Sequence, residues 1–302
     1  MAATNPAAAV IIPTHNRADL LPAVLDAALA QTVPVEIFVM DDASSDGTAA
    51  LMRQRYPGVH YHRQEISRGP TFGRNAGAAR ATAPFLVTLD DDCVLASPRS
   101  IEQTLGMFDS PRIGAVTIPF VNVRSDKLKR GSSASDKGVE VAFDYYGGMI
   151  VFRRDVYLQI SGYREALFMH VEEGDLAIRL YDAGYVIRLG WADPIEHMES
   201  PTRNRARIEE LSGRNHVLYA YFNVPWPWMP IHLAGTTGNC LWHGIRSGQP
   251  VRLLRGVLRG YGGIWRFRAQ RKPVSLKTYR NSKRLRRALS MSLDDMDNAE
   301  PR

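Results

Sequence analysis

The chain has 302 residues, of which 45% are hydrophobic and 23% are charged, and its formal net charge is +7 at pH 7. This composition excludes a disordered or fibrous protein, and the length allows one large α/β domain with an appendage or two modest domains. No run approaches about 18 uninterrupted apolar residues, so we expect no segment that spans a bilayer.

The first 120 residues alternate short apolar runs with helical patterns. Four apolar runs that end in turn or polar residues predict buried strands, at residues 8–13, 36–41, 84–90 and 113–120. Between them, residues 19–30 and 47–56 have the apolar spacing of three and four that is typical of amphipathic helices. Repetition of strand, helix and strand predicts a mostly parallel sheet covered on both faces.

The second part of the chain is predicted to become helical and cationic. Residues 148–152 indicate another strand and residues 172–183 a helix, and from about Arg203 onwards the pattern is helical. Prolines and tryptophans interrupt this pattern at residues 225–230. We predict a catalytic domain over residues 1–225 and a basic helical C-terminal extension over residues 226–302.

Polar residues follow three of the predicted strands. They occupy residues 13–17, 41–48 and 90–92. Each of these turns by itself is explained by capping, but in open α/β sheets ligands bind outside the carboxyl ends of the strands. Three polar turns at one sheet edge therefore predict a ligand site.

The acidic turn Asp90-Asp91-Asp92 is the sharpest local signal. Three successive carboxylates repel one another, and a divalent cation that also binds substrate phosphates would neutralise them. A solvated acidic turn is the alternative. The neighbouring Cys93 is expected to be a packing residue, because one thiol cannot select a soft metal.

An ordered series of motifs resembles the inverting family 2 glycosyltransferases of the nucleotide-diphospho-sugar transferase (GT-A) fold. The matching stretches are residues 10–17, 41–48, 73–77, 89–92, 147–148, 162–165 and 172–176, with His197 and Arg214-Asn215. The resemblance covers about residues 8–225. It implies an α/β protein with a mostly parallel sheet flanked by helices, which transfers a sugar from a nucleotide-diphospho-sugar to an acceptor hydroxyl.

The resemblance implies a donor site at the strand ends. Thr14 and Asp42 would hold the nucleotide, and Asp91 would lie near the ribose or the sugar. Asp92 would bind Mn²⁺ or Mg²⁺ bridging the diphosphate, and His197 would complete the metal shell, with a structural histidine as the alternative. The other donor-side candidates are Pro13, Asn16, Arg17, Arg74, Asn75, Asp90 and Arg214.

The resemblance also implies where the base lies. An inverting displacement needs one group to remove the proton of the acceptor hydroxyl, and the family places it in an acidic pair at the start of a helix. Here that pair is Glu172-Glu173, with Glu173 in the position of the base, Glu172 as its alternative, and Asp175 close by. Gly147 and Gly148 would form an acceptor-side turn; a plain turn into a strand is the alternative.

The positive charge is concentrated near the C-terminus. Between Leu211 and Leu293 there are 15 Lys and Arg residues and no acidic residue. Because Leu253, Leu254, Trp265 and Phe267 alternate with arginines there, an interfacial helix on an anionic membrane is one interpretation; a solvated face and an acidic protein partner are the others. No motif indicates nucleic acid, so we expect none as a partner.

Several functions remain in competition at this point. Two alternatives to a glycosyltransferase remain. One is another enzyme, a nucleotidyltransferase of similar fold, and the second is a noncatalytic membrane-surface scaffold. The acceptor is expected to be lipid-linked, a glycan or a small natural product. Two cysteines and the lack of a basic, apolar leader predict a cytoplasmic location, with peripheral attachment to the inner face of the membrane.

Overall fold

A computed structural model describes residues 5–124, 129–133, 138–198 and 205–297 of the chain. The strands of this part are β1 Ala8–Thr14, β2 Val35–Asp41, β3 His60–Arg63, β4 Phe85–Leu89, β5 Cys93–Leu95, β6 Ile113–Thr117, β7 Phe120–Asn122, β8 Lys129–Arg130, β9 Glu140–Ala142, β10 Met149–Arg153, β11 Val186–Arg188, β12 Ile195–His197 and β13 Ser290–Ser292. The helices are α1 Leu21–Leu29, α2 Thr48–Arg55, α3 Pro70–Arg80, α4 Ser100–Leu105, α5 Arg154–Gln159, α6 Glu172–Asp182, α7 Arg205–Asn223, α8 Trp228–Arg246, α9 Pro250–Arg266, α10 Leu276–Ala288 and α11 Leu293–Asp297.

Nine strands form the central sheet, in the order β13-β9-β11-β6-β10-β4-β1-β2-β3. The strands from β3 to β4 pair in parallel, whereas β10 runs antiparallel to both β4 and β6. The predicted α/β class, with a GT-A type sheet flanked by helices, is confirmed. Parallel pairing joins β3, β2, β1 and β4, and it also joins β6 and β11.

Strand β1 shows why this sheet lies between two layers. All seven of its residues are buried. Ala9 and Ile11 pack in the apolar cluster on one face, and Val10 and Ile12 pack in the cluster on the other. Successive side chains of a strand point to opposite faces, so a continuous apolar run is what a sheet covered on both sides requires.

The predicted strand at residues 113–120 divides between two sheets. Its first part is β6 in the central sheet, and its last residue, Phe120, begins β7 in a four-stranded sheet of order β5-β12-β7-β8. Pro119 lies between them and has no N–H to donate to a strand ladder. The second sheet brings β5 and β12 side by side, which matters for the site described below.

The C-terminal region is helical, as its pattern predicts, and its glycines have a packing role. A Cβ on Gly256 would lie 2.3 Å from the backbone oxygen of Glu210 on α7, and one on Gly260 would lie 2.8 Å from that of Arg214. These glycines therefore allow α9 to approach α7 closely. Leu253, counted above with the apolar surface, is instead buried.

The C-terminal extension also joins the central sheet, because β13 pairs with β9 at its edge. The division at residue 225 stays a prediction. The predicted start of the helical region near Arg203 falls within residues 199–204, outside the described residues, as do both ends of the chain. Among the helices of the described part, none has the length and hydropathy needed to cross a bilayer.

Candidate active site

A cleft of about 700 Å³ opens at the carboxyl ends of β1, β2 and β4. Most of the residues singled out from the sequence line it together. They are Pro13, Thr14, Arg17, Asp42, Arg74, Asp90, Asp91, Asp92, Gly147, Gly148, Glu172, Glu173 and His197. Three candidates, Asn16, Asn75 and Arg214, do not line it.

Asp42 lies in the cleft wall and is held in place by the segment that leads into α3. Its carboxylate accepts hydrogen bonds from Ser67 Oγ at 2.6 Å, from the Arg68 N–H at 2.6 Å and from the Gly69 N–H. The preceding Asp41 is fully buried and accepts from the Ser44 N–H at 2.8 Å. Asp41 therefore shapes the turn after β2, and Asp42 presents a fixed carboxylate to the cleft.

The three candidates outside the cleft have structural partners. The Asn16 side-chain oxygen accepts from the Ser45 N–H at 2.7 Å and so joins the turns after β1 and β2. Asn75 exchanges hydrogen bonds with the backbone of Tyr163. Arg214 donates to the Ala166 carbonyl at 2.6 Å. Each residue stabilises a segment near the cleft through these contacts.

The acidic turn lies against the second sheet. Asp92 Oδ1 is 3.5 Å from His197 Nε2, because β12 pairs with β5 directly after the turn. On the other side of the ring, His197 Nδ1 lies 2.6 Å from Asn122 Oδ1. In the tautomer that carries its proton on Nδ1, His197 would donate to Asn122, and Nε2 would present its lone pair to the Asp92 carboxylate.

This donor set fits a divalent cation. A lone pair and a carboxylate oxygen repel each other unless a cation or a proton lies between them. Metal-ligand atoms of Asp92, Cys93 and His197 all lie within 4.8 Å of one another. Burial and the charge of the neighbouring Asp92 raise the pKa of Asp91 to about 7. Both effects destabilise the ionised carboxylate, and a bound cation would offset that destabilisation. Oxygen and imidazole ligands in an open cleft suit a metal that also binds phosphates.

Cys93 lies behind this site with a different character. It is fully buried in the apolar cluster next to β1. Burial, followed by the charge of Asp90, raises the pKa of its thiol well above the usual value. A protonated, packed thiol is a poor ligand for a hard cation, which supports the packing role predicted for Cys93.

Arg74 connects the acidic turn with the glutamate pair. Its guanidinium lies 2.6 Å from Asp90 Oδ1 and 3.4 Å from Glu172 Oε1, and it is 3% exposed. The two glycines pack against these groups. A Cβ on Gly147 would lie 2.9 Å from Glu173 Oε1, and one on Gly148 would lie 2.3 Å from the Asp90 carboxyl carbon. A side chain at Gly148 would displace Asp90, and one at Gly147 would push back the ends of Glu173 and Arg74.

Glu172 and Glu173 begin α6 and form a coupled acidic pair. Burial raises the pKa of both carboxyl groups, and the charge of Arg74 lowers both. The charge of Glu173 adds to the effect of burial on Glu172, so the two carboxyl groups ionise as a pair rather than independently. Asp175 is instead fully buried and forms ion pairs with Arg164 and Arg179. These contacts give Asp175 a structural role.

The segment before α6 is held in an unusual backbone conformation that the sequence pattern does not show. Phe168, His170 and Val171 all have positive φ angles, between 65° and 70°. The side-chain amide of Asn215 on α7 donates to the carbonyls of Leu167, Met169 and His170 at 2.6 to 2.8 Å. Such conformations persist only where surrounding contacts impose them. Asn215, the second residue of the Arg-Asn motif, therefore positions the glutamate pair.

We expect Asn215→Ala to slow turnover by about 10²-fold, because misplacing catalytic groups by about 1 Å has that effect. It should also lower the free energy of unfolding by about 1–3 kcal/mol, since buried carbonyls lose their donor. Steady-state kinetics and thermal melting measure the two effects. Asn239→Ala, on the exposed side of α8, is the control; equal turnover in both variants would contradict a positioning role for Asn215.

Comparisons with known proteins agree with this geometry. The sequence profile described as "Glycosyl transferase family 2" matches residues 9–161. The O-antigen chain rhamnosyltransferase RfbN of Salmonella typhimurium is 27% identical over 250 residues, 76% of this chain and 76% of that protein.

Two solved structures resemble the fold closely enough to compare. The mannosyltransferase PcManGT of Pyrobaculum calidifontis, in complex with GDP-Man and Mn²⁺, matches with a TM-score of 0.59 and 19% identity over 95% of this chain and 81% of that chain. TarS 1–349 of S. aureus, in complex with UDP-GlcNAc, matches with a TM-score of 0.60 and 17% identity over 96% and 88%. At these identities the likeness shows the fold.

Proposed function

This chain belongs to glycosyl transferase family 2 and is a glycosyltransferase of the GT-A fold, and from that premise we propose a metal-dependent, inverting transfer. The donor is a nucleotide-diphospho-sugar and the acceptor provides a hydroxyl group. One observation carries the proposal: a single cleft is lined both by the Asp92–His197 pair and by the Glu172–Glu173 pair. A reaction at the anomeric carbon between them needs those two groups.

The donor is assigned to the wall formed by β1, β2 and β4. Thr14 and the fixed Asp42 carboxylate would contact the nucleotide, and Asp91 with its partner Arg17 would lie near the ribose or sugar. Asp92 and His197 would hold Mn²⁺ or Mg²⁺, which when bound stabilises the charge that develops on the leaving diphosphate. The GDP-Man and Mn²⁺ in PcManGT and the UDP-GlcNAc in TarS support this class of donor.

Glu173 is assigned as the general base. The acceptor oxygen forms a bond to the anomeric carbon, its proton passes to the Glu173 carboxylate, and the bond to the diphosphate oxygen breaks with its electron pair. Attack from the face opposite the diphosphate inverts the configuration. Glu172 lies beside the base and pairs with Arg74, and Gly147 packs against the Glu173 carboxylate.

A nucleotide screen tests the donor assignment. Melting temperatures are measured with UDP, GDP, ADP, CDP and dTDP, each with and without Mn²⁺, since a bound ligand raises apparent stability by mass action. We expect one nucleotide to give a metal-dependent rise that Asp92→Asn abolishes. No rise with any nucleotide would leave a noncatalytic scaffold as the better interpretation. Release of pyrophosphate from a nucleoside triphosphate and a sugar phosphate would indicate the nucleotidyltransferase instead.

Replacing Arg74 with glutamine should move the pH dependence of turnover. The base acts as a carboxylate, and the positive charge of Arg74 favours that form. Removing this charge raises the pKa of Glu173, so the acid limb of the kcat profile should move to higher pH. Profiles between pH 5 and 9 measure the shift. Arg80→Gln, at the exposed end of α3, is the control. An acid limb at the same pH in Arg74→Gln would show that the ionisation of this pair does not govern turnover.

Binding to an anionic membrane surface is the assignment that best fits the exposed face of α8 and α9. Trp265 is 75% exposed and lies on α9, which carries four arginines, and Trp242 is 61% exposed on α8, which ends at Arg246. Each cation near an anionic leaflet contributes about 1 kcal/mol, and salt screens this attraction. Tryptophan side chains favour the interface between water and lipid.

Cosedimentation with vesicles measures this attachment. We expect the protein to pellet with anionic phosphatidylglycerol vesicles at low salt and to be released at high salt. Trp242→Ser/Trp265→Ser should weaken binding, whereas Trp191→Ser, 42% exposed outside these helices, should not. Equal, negligible pelleting with anionic and neutral vesicles would contradict a membrane surface and favour a soluble acceptor.

A further inference from the structure

A second pocket, of about 420 Å³, lies between α7 and α9. We name it the α7–α9 pocket. Helix α7 contributes Arg207, Glu210 and Arg214, and α9 contributes Arg252, Arg255 and Arg259. Five arginines face one another here, and Glu210 provides the one carboxylate among the described residues that line the pocket.

The positive charge of this pocket is built in by helix geometry. Arg252, Arg255 and Arg259 are three and four residues apart, so they lie on one face of α9. The close glycine contacts between α7 and α9 bring that face against the arginines of α7. Arg259 pairs with Glu210, so the arginines outnumber the carboxylates among the described residues that line the pocket.

Arg214 shows that this charge has an energetic cost. Burial, followed by the nearby charge of Arg266, lowers the pKa of its guanidinium. Its hydrogen bonds go to neutral acceptors, the Ala166 carbonyl and the Asn215 amide oxygen. A bound anion would compensate for the lost hydration of the Arg214 guanidinium and for its repulsion by Arg266. Arginine is also the residue whose planar donors best match phosphate oxygens.

The pocket adjoins the cleft on the side of the base. Arg207 lines both the pocket and the cleft, and its guanidinium stacks 4.9 Å from the ring of Phe168, which begins the segment leading to Glu172. The acidic turn, where the donor diphosphate is assigned, does not line the pocket. An anion bound between α7 and α9 would therefore belong to the second substrate.

We propose that the α7–α9 pocket binds a phosphate or diphosphate group carried by the acceptor, and thereby directs the acceptor hydroxyl towards the cleft. This inference rests on the proposed function, because it identifies the class of the second substrate. The exposed apolar side chains of Leu254, Leu258 and Trp265 follow α9 beside the same arginines. They provide a surface for a hydrocarbon chain attached to such a phosphate.

Calorimetric titration in EDTA tests the pocket without the metal site. The probes are inorganic pyrophosphate and farnesyl diphosphate, with farnesol as the uncharged comparison, all at one salt concentration. We expect both diphosphates to bind the full chain and farnesol to bind at least tenfold more weakly than farnesyl diphosphate. Tighter binding of farnesyl diphosphate than of pyrophosphate would identify a lipid-linked acceptor, and equal binding would identify a soluble phosphorylated one.

Variants locate the binding. Arg252→Gln/Arg255→Gln should weaken diphosphate binding at least tenfold. Arg246→Gln/Arg268→Gln removes two exposed arginines that do not line the pocket, and it should change the affinity less than twofold. Asp92→Asn should leave it unchanged. If the wild type does not bind either diphosphate, or if Arg252→Gln/Arg255→Gln binds as tightly as the wild type, the proposal is overturned.

The same variants separate this inference from the proposed function. Arg252→Gln/Arg255→Gln should keep the Mn²⁺-dependent thermal shift with the preferred nucleotide, and Asp92→Asn should lose it. A wild-type protein that shows the nucleotide shift but no diphosphate binding in EDTA would overturn the acceptor subsite alone. Absence of the nucleotide shift would overturn the donor assignment.

Discussion

Replacing Asp92 with alanine is expected to abolish sugar transfer, with a loss of about 10³-fold or more. The carboxylate is 5% exposed, lies 3.5 Å from His197 Nε2 and is the residue of the acidic turn closest to a second ligand. A metal that stabilises the leaving diphosphate contributes several kcal/mol, and each 1.36 kcal/mol corresponds to about tenfold in rate. Initial rates with saturating donor and Mn²⁺ measure the effect.

Two controls distinguish loss of metal from loss of fold. Asp19→Ala changes an exposed acid outside the cleft and should keep the wild-type rate. Excess EDTA should inactivate the wild type, and added Mn²⁺ should restore it. The apo Asp92→Ala protein should melt no lower than the apo wild type, since removing a buried carboxylate relieves repulsion. Full transfer in EDTA would contradict the metal assignment.

Glu173→Gln is expected to slow transfer by about 10²–10⁴-fold, the usual effect of removing a general base. The amide cannot accept the hydroxyl proton, but it keeps the size of the side chain beside Gly147. Nucleotide binding should change little, because Glu173 is not among the residues assigned to the nucleotide or the metal. Single-turnover rates and the metal-dependent thermal shift measure the two properties separately.

The neighbouring glutamates provide the comparison. Glu172→Gln should be milder, because Glu172 pairs with Arg74 and is not the residue assigned to accept the proton. Glu165→Gln, exposed and paired with Arg68, should have the wild-type rate. If Glu172→Gln is the inactive variant and Glu173→Gln turns over well, the base is Glu172.

The acidic groups of the site were predictable from the sequence for a local reason. Asp42 and Asp92 follow apolar strands directly, and the carboxyl ends of parallel strands meet at one edge of a sheet. Strand direction is enough to bring these two residues together, without knowledge of any side-chain contact. The place of Glu173 in the site came instead from the resemblance to the family 2 glycosyltransferases, because a helix pattern does not say which site the first residues of the helix face.

The partners of the polar side chains were not predictable in this way. Asn16, Asn75 and Arg214 belong to the same motifs as residues of the cleft, yet their hydrogen bonds go to backbone groups of neighbouring segments. Asn122 and Asn215 hold His197 and the segment before α6. A motif gives proximity along the chain, whereas a hydrogen bond depends on rotamer and on residues many positions away.

The C-terminal region shows the same division between sequence and tertiary structure. Its composition determined that it is helical and cationic, because neither property depends on packing. Only the packing of α9 on α7 decided that Gly256 and Gly260 allow close contact, that Leu253 is buried, and that Arg252, Arg255 and Arg259 face a pocket rather than open solvent. The face that a helix buries depends on its neighbour, and the neighbour is specified by the whole fold.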